Sequence, residues 1–76
     1  MEHKYVIIDG RYPVLFPSVL EHRQFGRAGV NITSAGFFTI LQSGDIQVFG
    51  ESQTLHLHSH PEDEFLIKLL LRKERY

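Results

Sequence analysis

Three histidines stand at alternate positions, His56, His58 and His60, and the acidic residues Glu62, Asp63 and Glu64 follow at once. Imidazole nitrogens and carboxylate oxygens together bind divalent transition ions such as Zn2+ or Ni2+. Cysteine is absent, so any metal site here is built from nitrogen and oxygen. In an extended segment, alternate residues lie roughly 6.6 Å apart and share a face. Neighbouring histidines can then share an ion, and all three can do so only if the chain bends at Ser59. Glu64 lies one helical turn beyond His60 and is placed to complete a site from that side. The candidate metal ligands are therefore His56, His58, His60 and Glu64. The competing reading is a half-buried strand, with Leu55 and Leu57 inward and the histidines in solvent.

The string His58-Ser59-His60-Pro61 resembles the His-x-His-Pro core of the JAMM metalloprotease family. That resemblance implies zinc held by His58 and His60, and a hydrolytic activity. It covers four residues, and the family's downstream Ser-x-x-Asp element has no counterpart because no serine follows Ser59. Gly50-Glu51-Ser52 with Ser59 to Glu64 is similar to the C-terminal part of small bacterial and prophage proteins, which implies no activity. Ser59, His22 and Asp45 supply the residue types of a hydrolytic triad, but types alone carry no geometry. His22 to Arg27 mixes Arg23 and Arg27 with Phe25, a hint of RNA or single-strand contact, for which the competing reading is an ordinary exposed loop. Eight Lys plus Arg against nine Asp plus Glu lack the basic excess of a general nucleic-acid binder.

These residues need a frame, and the pattern predicts an α+β domain. Tyr5 to Ile8 is a β-branched run, and Asp9-Gly10 is the signal for a tight type I′ hairpin. Arg11 to Phe16 is the return strand, placed at an edge or bulged because Pro13 lacks an amide proton. Ser34 to Leu41 reads as a central strand in which Gly36 marks a close approach or a bulge. Ile46 to Phe49 returns, Gly50 to Gln53 turns, and Thr54 to His58 alternates as a last strand. Ser59 is placed as a helix N-cap, with Glu62 three residues on as in a capping box and Pro61 in the first turn. Pro17 to Phe25 stays open between loop and short helix. The expected architecture is an antiparallel β-meander sheet of about 4–5 strands with one C-terminal helix packed on it.

With 76 residues there is room for one domain with a thin core. Domains of this size commonly add a metal or self-association to that core. The helix body, Phe65 to Leu71, is apolar over most of its circumference, more than one face of a small sheet should cover. Phe65, Leu66, Leu69 and Leu70 are therefore the candidate interface, with a second copy or another protein as partner. Met1-Glu2-His3-Lys4 lacks the apolar run of a signal peptide, and no stretch approaches the roughly 20 apolar residues of a membrane span. The expectation is a cytoplasmic, self-associating, non-enzymatic module, with metal binding at the histidines as the alternative.

Overall fold

The computed structural model describes residues 3–22 and 29–73. Strand β1 (His3–Ile8) and strand β2 (Tyr12–Pro17) form a hairpin paired from His3↔Pro17 to Ile8↔Tyr12. Asp9 and Gly10 both take positive φ, 55° and 69°, as a type I′ turn requires. Strand β3 (Ile32–Ile40) returns beside β1, not beside β2, and strand β4 (Ile46–Phe49) follows on its far side. The order is β2-β1-β3-β4, antiparallel throughout. Pro13 and Pro17 explain that order. Neither has an amide proton to give a second neighbour, so β2 is an edge strand. β1, with Tyr5, Val6 and Ile7 all buried, takes a central place.

Alternation along β1 sets up two cores. Tyr5 and Ile7 point to one face, where they pack with Phe38, Ile46 and Ile67. Val6 points to the other and packs with Phe16 and Ala35. The first core is closed by helix α1 (Asp63–Lys73) through Ile67, Leu66 and Leu71. The second is closed by Leu20, Leu55 and Leu57. Leu57 belongs to a two-stranded ribbon, β5 (Glu51–Ser52) with β6 (Leu57–His58). The expected class, an antiparallel sheet with one C-terminal helix, is what the structure shows.

The ribbon corrects one expectation. Thr54 to His58 does not run as a strand; only Leu57 and His58 pair, and Gln53 to His56 form a turn. The Ser52 hydroxyl accepts the Leu55 amide at 3.4 Å, and the His56 amide donates to Gln53 O at 3.4 Å. Local bonding of this kind competes with a strand ladder. His56 consequently takes a φ of 56°, while Leu55 and Leu57 still reach the second core. Gly50, at φ 76°, makes the corner that lets Glu51 and Ser52 pair instead of turn.

Gly36 answers to close approach. A Cβ there would stand 2.8 Å from Phe49 O and 3.1 Å from the Ser59 Cβ, because the chain leaving β4 and the chain entering the helix both cross it. Gly36→Ala is expected to lower stability by about 1–3 kcal/mol, as overpacking of a filled site does. A thermal midpoint equal to that of the parent chain would refute this.

Candidate functional site

The helix start organises the chemistry. Pro61 occupies the first helical position, so His60 is the N-cap and Asp63 stands three residues on. The His60 amide donates to Asp63 Oδ2 at 2.9 Å, the backward half of a capping box. Asp63 N to His60 O at 2.9 Å and Glu64 N to Pro61 O at 3.2 Å tighten the first turn. The cap thus falls one residue later than Ser59 and Glu62, whose pairing would have put proline at the second position. Ser59 donates its amide to Gly50 O at 3.0 Å and so extends the ribbon.

Asp63 is 2% exposed and does more than cap. Oδ2 also accepts the Tyr5 hydroxyl at 2.5 Å, and Oδ1 accepts the Ser34 hydroxyl at 3.0 Å. Tyr5 and Ser34 are likewise buried, so these bonds tie the helix N-terminus to β1 and β3. A carboxylate with three donors at the positive end of a helix is well stabilised. Among the described residues, every buried side-chain nitrogen and oxygen has a partner. Burial first, and then the Asp63 carboxylate, push the Tyr5 phenol well above its ordinary range. An unfolded tyrosine loses its proton near pH 10, while the native one keeps it. The unfolded state then binds fewer protons, so native stability is intact below about pH 10 and falls above it, by up to about 1.4 kcal/mol per unit. Urea titrations between pH 8 and 11 should show that slope, and Tyr5→Phe should flatten it. An unchanged slope in Tyr5→Phe would locate its origin elsewhere.

The predicted ligands fall in three places. The rings of His58 and His60 lie together, centroids 4.7 Å apart and tilted by 40°. His56 sits on the preceding turn, exposed. Glu64 turns to the sheet, where its Oε2 accepts the Val48 amide at 3.1 Å. With the side chains as they stand, no group of three or more His, Asp or Glu among the described residues is placed to hold an ion.

The predicted interface residues divide between two settings: Phe65 lies on the β4 side of α1, beside Leu41, Ile46 and Lys68, and Leu66, Leu69 and Leu70 lie on the β2 side. Phe65 is 66% exposed and Leu69 38%, while Leu66 and Leu70 are half-buried. Leu66, Leu69 and Leu70 face Arg11, Tyr12 and Pro13 across a groove of about 350 Å³. Tyr12 is itself 54% exposed, with the Arg11 guanidinium over its ring at 5.1 Å. Ile67, fully buried, marks the opposite side. No helix of the described residues is long and apolar enough to cross a membrane.

His22 is a site residue that sequence reasoning did not single out for burial. It is 5% exposed, edge-on to the rings of Phe16 and Phe37. Its Nε2–H donates to Gly36 O at 2.8 Å, a carbonyl just beyond the reach of β4. That bond occupies the ring nitrogen a triad would use. Asp45 pairs with Lys68 at 2.9 Å, which holds its carboxyl below the usual range. Ser59, His22 and Asp45 therefore form no triad. Arg23 and Arg27 lie outside the described residues. No protein-family model, curated protein or solved structure matches the chain.

Proposed function

We propose that the chain is a non-enzymatic interaction module that associates with a second copy of itself through the exposed side of α1. The observation that carries this reading is an exposed aromatic ring one helical turn from an apolar groove. Phe65 projects into solvent one turn before Leu69, and Leu69 borders the groove of Tyr12, Pro13, Leu66 and Leu70. A two-fold axis lets each copy insert its Phe65 into the groove of the other, the self-complementary pattern of an isologous dimer.

Two further features favour this surface. Strand addition is obstructed at both sheet edges: β2 carries Pro13 and Pro17, and Glu64 caps the Val48 amide on β4. A net charge of −1 leaves little repulsion between copies. Sedimentation velocity over a dilution series tests the reading. A sedimentation coefficient that rises with concentration towards a dimer is expected. A single monomeric species across the series would overturn it.

A further inference from the structure

We propose that His58 and His60 form a chelating site for a divalent transition ion, with Glu51 as its third protein donor. The pair is the one place among the described residues where two imidazoles meet, with centroids 4.7 Å apart. Two rings bound at adjacent positions of one ion, at roughly 2.1 Å from each nitrogen, stand at about this separation.

The tautomer of His58 suits the role. Its Nδ1 lies 3.0 Å from Ser59 O, and a carbonyl only accepts, so Nδ1 carries the proton. Nε2 then carries the free lone pair. A ligand histidine whose other nitrogen donates to a backbone carbonyl is the arrangement that orients metal-binding rings. His58 is exposed and His60 half-buried, so an ion reaches the pair from solvent.

Both backbone positions are fixed without help from a metal. His58 is paired with Glu51 in the ribbon, and the His60 amide is held by Asp63 Oδ2. Only side-chain rotation is needed to close the site. Glu51 stands directly across the ribbon from His58, and such opposed residues have Cβ atoms about 5 Å apart on the same face. Rotation of its exposed side chain brings a carboxylate to the two rings, giving two nitrogens and one oxygen with the remaining positions open to water. This set differs from the one the sequence suggested. The positive φ of His56 takes it out of the series, and Glu64 is engaged by Val48.

The test is calorimetric titration of untagged protein with Zn2+ and, separately, Ni2+ at neutral pH. Saturable binding of one ion per chain is expected. His58→Ala and His60→Ala should each weaken it by more than about 10-fold, and Glu51→Gln by about 10-fold, while His56→Ala leaves it unchanged. His58 and Glu51 are exposed, so those two variants keep the fold, and unchanged circular dichroism confirms it. Absence of saturable binding at millimolar metal would overturn the proposal. So would affinity that is indifferent to His58→Ala, or one that is lost with His56→Ala instead.

Discussion

Replacing Asp63 with alanine is expected to leave most of the chain unfolded at room temperature. The carboxylate accepts from Tyr5, Ser34 and the His60 amide, and the two hydroxyls are buried. Alanine removes the acceptor and leaves those donors without water to replace it. Each orphaned buried donor costs about 1–3 kcal/mol, so the sum reaches several kcal/mol. Small domains have about 5 kcal/mol in total, and this one has a thin core. Asparagine keeps one acceptor oxygen and should fall between the two. Urea unfolding followed by circular dichroism measures all three. Stability of Asp63→Ala within about 0.5 kcal/mol of the parent would show that the network contributes nothing net.

The second large effect concerns assembly and leaves the fold intact. Phe65→Asp places a charge at the most exposed apolar position of α1, where about two thirds of the residue already meets solvent. The monomer should therefore unfold at nearly the same urea concentration as the parent. Central aromatic residues of an interface are typically worth 2 kcal/mol or more, and a two-fold axis removes the ring from both copies. The dimer dissociation constant should rise by at least about 30-fold, which sedimentation at matched concentrations will read. Ile67→Asp is the contrasting control, because the buried Ile67 should lose the fold itself. An unchanged dimer in Phe65→Asp would move the interface away from this face.

The frame was legible in the sequence wherever a local rule has no competitor. Asp9-Gly10 can hardly be read as anything but a tight hairpin turn, and Pro13 places β2 at an edge. The pairing of β3 with β1 was not legible locally. It follows from which strand has two free ladders, and that emerges only when both prolines are weighed together. The Thr54 to His58 alternation misled because the hydroxyl of Ser52 and the turn after it outweigh a pattern of two leucines.

The buried network was hidden for a different reason. Asp63 looks like one of three acidic residues in a first turn, interchangeable with Glu62 and Glu64. Its distinction comes from Pro61, which fixes the helical phase and turns position 63 inward beside Tyr5 and Ser34. Of the suggested metal ligands, the structure keeps His58 and His60 together, since the ribbon and the helix cap meet between them. The burial of His22 was not legible, because it depends on a carbonyl left open where β4 ends.

The bond from Tyr5 to Asp63 joins residues 58 positions apart. It cannot form until both the first strand and the helix start are in place. Ordering so long a segment carries an entropic penalty that local contacts do not share. The local hairpin of β1 and β2 can form early, and docking of the helix start onto it is expected to follow. Substitutions at Tyr5, Ser34 and Asp63 should therefore act mainly by hastening unfolding, with little influence on how fast the chain first collapses. The persistence of the native state, once reached, then rests on a latch between its first strand and its final helix.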